Sequence, residues 1–294
     1  MRVLPPVLFR CLLGLLLAAL PARAEHELLE ETFDGLVLDL RLWLLPAGPG
    51  TFFGRTQIRA PWPPPSLVGG RLLLRLDTHN PTALRPGDSF LGSEIRTREY
   101  FPLEEGLAFE ARLRFVDDAG EPVPPGIVGG FFSFTTDGMV RDEIDFELLS
   151  NELRAARNRV LTNVFSDDDF SQPGNKAFAV VPGLDLGAFH LYRVEWRPDR
   201  IRWFVDGVLV REVLERLPDE PMNVRVNIWV PHAGFAEAYD AGLVPTADPS
   251  ANRTFLLEVD EVRVTRLPEP SAGLAGLLAL AACAALARLS PRRS

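Results

Sequence analysis

The sequence predicts an all-β fold of the sandwich or jelly-roll type. Short segments with alternating apolar and polar residues recur along the chain, and each is closed by glycine, proline or aspartate residues typical of turns. Away from the two chain ends, no stretch has the apolar spacing of a long helix. Many short alternating strands separated by turns favour two packed β-sheets.

The first predicted strands come directly after turn residues. Gly69 and Gly70 lead into a strand at residues 71–76, and residues 106–115 alternate almost perfectly between apolar and polar positions. A loop is predicted at residues 118–126, which are rich in acidic residues, glycine and proline.

The second half of the chain continues the same pattern. Strands are predicted at residues 192–196, 201–205, 208–213 and 255–264. Pro198 and Asp199 separate the first two as a hairpin turn, and Asp206 and Gly207 form the next turn. Residues 230–253, here called the rim loop, are long enough to predict a functional rim rather than a simple connection.

Residues 1–24 predict a secretory signal peptide. Arg2 and Arg10 give a basic start, residues 11–20 are apolar, and the Ala-Arg-Ala at residues 22–24 is a small-x-small cleavage site. We therefore expect export and processing by signal peptidase.

Residues 267–294 predict a second targeting segment. A Pro-Glu-Pro motif within residues 267–271 precedes an apolar run at residues 272–287 and three trailing arginines, which the positive-inside rule keeps cytoplasmic. This layout resembles the PEP-CTERM sorting signal. The resemblance implies exosortase-type processing, transient membrane anchoring through a transmembrane helix, and delivery to the cell surface or extracellular matrix. A plain tail anchor and a packed helix stay open.

Composition restricts the partners of the remaining chain. Residues 25–270 carry 25 basic and 40 acidic residues, a difference of −15, which argues against nucleic acid and anionic lipid. A neutral polysaccharide is compatible. The two cysteines lie in the two targeting segments, so the single predicted domain at residues 25–266 has no disulfide.

Three carboxylates share one face of a predicted strand. Glu143, Asp145 and Glu147 alternate with Ile144 and Phe146, and side chains in a strand point to opposite faces with a period of two. Crowded carboxylates move apart in pKa, so that one is ionised while another stays protonated. Cleavage of a glycosidic bond needs this division.

This strand resembles the active-site strand of glycoside hydrolase family 16. Its Glu-x-Asp-x-Glu spacing is the form without a bulge, typical within that family of lichenases and xyloglucan-active enzymes. Further segments resemble the family in the same order, at residues 93–97, 131–135, 160–165, 189–196, 203–207, 227–229 and 259–264. The resemblance implies a concanavalin A-like β-jelly roll whose concave sheet forms a glycan cleft.

The resemblance also implies the catalytic roles. Glu143 is the nucleophile, Glu147 is the general acid and then the general base, and Asp145 tunes their protonation, with retention at the anomeric carbon. The Cα atoms of Glu143 and Glu147 are expected about 13 Å apart on a strand. Their carboxyl groups must therefore converge to the roughly 5–5.5 Å of retaining enzymes.

Other residues are implied as substrate contacts. The polar candidates are Glu94, Arg96, Asn163 and Asn227, and the aromatic candidates for stacking on sugars are Phe132, Phe134, Phe165 and Trp229. Phe132 and Phe134 must share one face, so both lie in the cleft or both in the core. Residues 139–141 depart from the lichenase pattern, which has a tryptophan there.

The resemblance implies no cofactor for the chemistry but a calcium ion on the convex face, with Asp260 and the Gly70 carbonyl as ligands. The leading functional prediction is a monomeric, exported endo-β-glucanase acting on a neutral β-1,3-1,4-glucan-like substrate. A transglycosylase uses the same covalent intermediate, and a non-catalytic glycan-binding matrix protein could share the fold. Both alternatives stay open.

Overall fold

A computed structural model describes residues 24–46, 51–58, 65–117, 123–155 and 157–269, excluding the side chains of residues 117, 154 and 155. The predicted C-terminal anchor and residues 1–23 of the predicted signal peptide lie outside the described residues. Within the described ranges, no helix is long and apolar enough to cross a membrane.

The described chain is built almost entirely of strands, as predicted. They are β1 (His26–Glu31), β2 (Trp43–Leu44), β3 (Phe52–Phe53), β4 (Thr56–Ile58), β5 (Ser66–Leu67), β6 (Leu72–Asp77), β7 (Phe90–Thr97), β8 (Leu107–Asp117), β9 (Val128–Thr136), β10 (Val140–Leu149), β11 (Arg159–Asp169), β12 (Ala177–Val180), β13 (His190–Arg197), β14 (Arg200–Val205), β15 (Val208–Val213), β16 (Asn223–Trp229) and β17 (Thr254–Arg266). One short helix, α1 (Ser150–Ala155), follows β10, and a 3₁₀ turn at Pro249–Ala251 lies in the rim loop.

The strands form two layers. The first, here called the site sheet, has the order β2-β7-β16-β9-β10-β11-β12. The second, here called the outer sheet, has β5-β6-β17-β8-β13-β14-β15, and β1 pairs with β17 beyond the end of β6. β7 also pairs with β4 and β6, which joins the layers at one edge. This is the predicted all-β sandwich.

Aromatic contacts between the layers make the core. Phe109 of β8 packs edge-on against Phe131 of β9, with ring centroids 5.9 Å apart. Phe146 of β10 meets Tyr192 of β13 at 5.3 Å. The indole of Trp203 donates a 3.0 Å hydrogen bond to the backbone carbonyl of β10 at Asp145. The outer sheet therefore supports the inner face of the strand that carries the three carboxylates.

The predicted turns are present. β13 and β14 form the hairpin around residues 198–199, and β14 continues into β15 through Asp206 and Gly207. Asp206 and Gly207 have φ values of 49° and 76°, the left-handed conformation that two-residue hairpin turns require. Asp-Gly is a sequence signal for that geometry, so this local prediction is confirmed.

Arg55 anchors the rim loop to the sandwich. Its guanidinium donates hydrogen bonds to the carbonyls of Pro231, Asp240 and Leu243, at 2.9, 3.1 and 2.9 Å. It also lies 5.0 Å from the centroid of the Tyr239 ring. Three points of the loop are thus tied to one side chain, which fixes the loop beside the site sheet.

Candidate active site

The central strand of the site is regularly paired on both sides. Between Glu143 and Glu147, β10 pairs continuously with β9 and with β11, and the one register shift lies between Arg141 and Glu143, before the motif. Ile144 and Phe146 are completely buried in the core. The predicted alternation is confirmed, and the three carboxylates lie on the face of the site sheet that points away from the core.

Cross-strand pairing places the other candidates around the carboxylates. Three rows cross the site sheet: Phe134–Glu143–Phe165, Phe132–Asp145–Asn163 and Gly130–Glu147–Leu161. β16 and β7 extend two of these rows with Arg225 and Arg96 beside Phe132, and with Asn227 and Glu94 beside Gly130. The structure therefore places seven of the predicted substrate-contact residues on neighbouring strands around the carboxylates: Glu94, Arg96, Phe132, Phe134, Asn163, Phe165 and Asn227.

Gly130 allows a polar side chain to approach Glu147. A Cβ atom on Gly130 would lie 2.5 Å from Asn227 Oδ1, so any larger residue displaces that amide. The Asn227 amide nitrogen donates to Glu94 Oε2 at 3.1 Å, and its Oδ1 is buried with no hydrogen-bond partner among the described residues. Asp145 Oδ1 is likewise buried and has no hydrogen-bond partner among the described residues. Two unpaired buried polar atoms on the same sheet require an explanation, and a catalytic or binding role provides one.

Two aromatic predictions need correction. The Arg141 guanidinium carbon lies 3.6 Å from the centroid of the Phe165 ring, and Phe165 is 6% exposed. Phe132, also 6% exposed, packs edge-on against Phe134 and beside Arg225. Neither ring has a free face for a sugar, because each supports an arginine instead.

Phe134, Trp229 and Asn163 differ in what they offer. Phe134 is half-buried at the surface of the site, consistent with its prediction. Trp229 lies one row beyond Glu147 and packs against Phe53 and Phe235, so it belongs to the wall of the cleft. Asn163 uses its amide internally: Nδ2 donates to Pro173 O at 3.3 Å and Oδ1 accepts from its neighbouring backbone N–H. Its predicted sugar contact is replaced by a supporting role.

Arg225 is a site residue that the sequence analysis missed. It is 7% exposed, donates its Nε to Asn223 Oδ1 at 2.8 Å and lies 4.2 Å from the Phe134 ring centroid. The sequence could have identified it, because Arg225 precedes Asn227 by two positions on one strand and must therefore share its face. Arg141, noted only as a departure, places Nη1 3.3 Å from Glu143 Oε2.

The surroundings make Glu143 and Glu147 chemically unequal. Burial raises the pKa of Glu143 to about 7, and the positive charges of Arg141 and Arg225 limit that rise. Burial and the charge of Glu143 raise the pKa of Glu147 to about 8, with Lys176 opposing. Burial and both neighbouring carboxylates raise the pKa of Asp145 well above its usual range. The Arg141 guanidinium beside Glu143 therefore favours ionisation of Glu143 over that of Glu147.

The predicted calcium ligands do not fit a calcium site. The Asp260 carboxylate accepts a hydrogen bond from Arg112 and lies 3.7 Å from Arg71 Nε. Two guanidinium groups already neutralise it. No group of three or more metal-ligating side chains occurs in the described part of the chain.

Comparisons with known proteins agree with this geometry. The sequence profile described as Glycosyl hydrolases family 16 matches residues 71–246. A β-glucanase of Bacillus subtilis (strain 168) is 35% identical over 107 residues, which cover 35% of this chain and 41% of the relative. A putative xyloglucan endotransglucosylase/hydrolase protein 1 of Arabidopsis thaliana is 33% identical over 152 residues, covering 48% of this chain and 46% of the relative.

A solved structure extends the likeness. A prokaryotic β-1,3-1,4-glucanase (lichenase) from a mouse hindgut metagenome superimposes with a TM-score of 0.60 and 26% identity. The superposition covers 81% of this chain and 98% of the lichenase. The two curated relatives are each matched over less than half of their length.

Proposed function

The chain belongs to glycosyl hydrolases family 16, and on that premise we propose that it is a retaining endo-β-glycosidase acting on a neutral β-glucan of the β-1,3-1,4 type. The observation that carries the proposal is the unequal pair Glu143 and Glu147 on one face of β10. Arg141, with Nη1 3.3 Å from Glu143 Oε2, favours the carboxylate form of Glu143, while burial favours the carboxylic acid form of Glu147.

Double displacement uses this division directly. In the first step the Glu143 carboxylate attacks the anomeric carbon, the glycosidic C–O bond breaks, and Glu147 gives its proton to the leaving oxygen. In the second step Glu147, now ionised, takes a proton from water, whose oxygen attacks the same carbon and releases Glu143. Burial and the two neighbouring carboxylates raise the pKa of Asp145, which disfavours a third negative charge between them.

The substrate assignment rests on relatives and on the cleft. The B. subtilis relative is named a β-glucanase, and the hindgut protein is titled a β-1,3-1,4-glucanase. The floor of the cleft combines the half-buried Phe134 with the polar groups of Glu94, Arg96 and Asn227, a mixture suited to sugar rings and hydroxyl groups. The excess of acidic residues in the chain favours a neutral polymer.

Transglycosylation is the second candidate. The Arabidopsis relative is named an endotransglucosylase/hydrolase, and the glycosyl–enzyme intermediate accepts a sugar hydroxyl in place of water. A glycan-binding protein without catalysis would not need Glu143, Asp145 and Glu147 together. We also propose export and surface sorting, which the signal-peptide and Pro-Glu-Pro patterns support.

The test is a substrate panel. The purified chain is incubated with β-1,3-1,4-glucan, laminarin, xyloglucan and agar, with and without an oligosaccharide acceptor, and with Glu143→Gln as the control. We expect new reducing ends from β-1,3-1,4-glucan that Glu143→Gln does not release. Chain-length redistribution without new reducing ends would instead support transglycosylation. Binding of a glycan that yields no product, and that is unchanged in Glu143→Gln, would contradict the proposed catalytic function.

A further inference from the structure

The rim loop crosses the site sheet just beyond Glu147. Ala238 of the loop is completely buried in an apolar cluster with Val128, Leu149 and Leu161, which belong to β9, β10 and β11. Leu149 lies two positions after Glu147 on the same face. The loop therefore forms a wall along the Glu147 side of the cleft.

A salt bridge joins this wall to the turn that follows β11. Lys176, in the turn after β11, places Nζ 2.6 Å from Glu237 Oε1 of the rim loop. The same ammonium lies 5.5 Å from the Phe235 ring centroid. The turn itself is held by the Asn175 N–H, which donates to Val164 O at 2.8 Å. Two chain segments far apart in sequence are thus linked beside Glu147.

Both charges act on Glu147. The positive charge of Lys176 lowers the pKa of Glu147, and the negative charge of Glu237 raises it. The remaining charged or titratable groups that face Glu147 come from β10 and β7: Arg141, Glu143, Asp145 and Glu94. The residues paired with Glu147 on β9 and β11, Gly130 and Leu161, carry no charge.

We propose that Lys176 and Glu237 form a charged latch between the turn after β11 and the rim loop on the Glu147 side of the cleft, and that this latch sets the pH range over which Glu147 delivers its proton. Both are positioning residues, acting through Glu147. The inference rests on the proposed function, since it assigns Glu147 the acid/base role.

Stability alone does not explain the pair. Lys176 and Glu237 expose 36% and 31% of their side chains, and pairs of that exposure contribute little to folding. Arg55 and the cluster around Ala238 already anchor the loop. Lys176 is also the single lysine of a chain with 30 arginines, and an ammonium is a compact point charge.

The test uses charge removal in both directions. Lys176→Met removes the cation and frees the Glu237 carboxylate, so the alkaline limb of the kcat/KM–pH profile moves upward. Glu237→Gln removes the anion and frees the ammonium, so the same limb moves downward. Each shift is expected to be about 0.2 to 0.7 pH unit. The double variant restores charge balance and returns the limb close to its wild-type position.

A matched control comes from the outer sheet. Arg263 and Glu30 form a pair of the same length, 2.6 Å, with similar exposure. Glu30→Gln should leave the limb in place. Equal or parallel shifts in Lys176→Met and Glu237→Gln, or no shift in either, would overturn the latch while leaving the proposed function intact.

A second readout does not depend on turnover. The Glu147 carboxyl carbon is titrated by ¹³C NMR, with its signal assigned by its loss in Glu147→Gln. We expect the midpoint to rise in Lys176→Met and to fall in Glu237→Gln. If no glycan is cleaved, the proposed function fails, and coincident Glu147 titrations in both variants separately reject the latch.

Discussion

Arg141 and Glu143 form an ion pair, with Nη1 and Oε2 3.3 Å apart, at the start of the strand that also carries Glu147. The Phe165 ring lies under the guanidinium and fixes its position. Because Arg141 precedes Glu143 by two positions and Glu147 by six, its charge favours ionisation of the nearer carboxylate. The asymmetry needed for catalysis is therefore built into one strand.

Removing this charge should change the acidic limb of the pH profile. Arg141→Met keeps the apolar stem over Phe165 but removes the cation that lowers the pKa of Glu143. The pKa of Glu143 rises, and the acidic limb of kcat/KM moves upward by about 1 pH unit. Arg225→Met should move it in the same direction. An acidic limb unaffected by both variants would contradict the assignment of Glu143 as the nucleophile.

Glu147 should lower the stability of the fold at alkaline pH. Its pKa in the folded state, about 8, is above the usual value of 4.5. The stability that its protonated form provides is complete below about pH 4.5 and is lost as pH rises through about 8. Glu147→Gln stays neutral, so its Tm should exceed that of the wild type increasingly between pH 5 and pH 9.

The advantage of Glu147→Gln is expected to reach roughly 1–3 kcal/mol. Asp145→Asn provides a second measurement of the same kind, since burial and both neighbours raise the pKa of Asp145. The measurement is thermal unfolding of each variant across this pH range. A constant Tm difference at all pH values would show that neither carboxyl is held protonated by the fold.

Gly130→Ala should impair binding without unfolding the protein. The added methyl group meets the end of the Asn227 side chain, which can rotate away, rather than the backbone. Loss of the amide position should reduce kcat/KM by roughly 3- to 10-fold, the range of one hydrogen bond, while Tm changes little. Asn227→Ala is the partner variant, and in that background Gly130→Ala should have no further effect on kcat/KM.

Removal of calcium should leave the protein unchanged. Arg112 and Arg71 already neutralise the Asp260 carboxylate, so no cation is needed there. We expect EDTA and added calcium to give the same Tm. Asp260→Asn should change Tm little, because its ion pair with Arg112 is partly exposed. A calcium-dependent rise in Tm that disappears in Asp260→Asn would instead support the predicted calcium site.

Much of the site followed from local rules. The period of two in β10 placed Glu143, Asp145 and Glu147 on one face and buried Ile144 and Phe146 on the other. The same rule could have identified Arg225 from Asn227. It could not show that the Phe165 ring is covered by Arg141, because that contact depends on which strands become neighbours.

Asn163 and Asp260 illustrate the same limit. The sequence showed a polar side chain on a site strand and a carboxylate on the closing strand. The structure determined their partners, a carbonyl in the turn after β11 for Asn163 and two arginines of the outer sheet for Asp260. A residue type fixes what a side chain can bind, whereas packing decides what it does bind.

Alternation and turn conformation depend on neighbours along the chain, so the all-β architecture, the turns and the carboxylate face were predictable from the sequence. Packing of the sheets and the rim loop, by contrast, set how far burial raises the pKa values of Glu143 and Glu147, and it brought Lys176 against Glu237 beside Glu147. Those properties come from burial and from charges on other strands and loops, and both arise only when the sheets and the rim loop have come together.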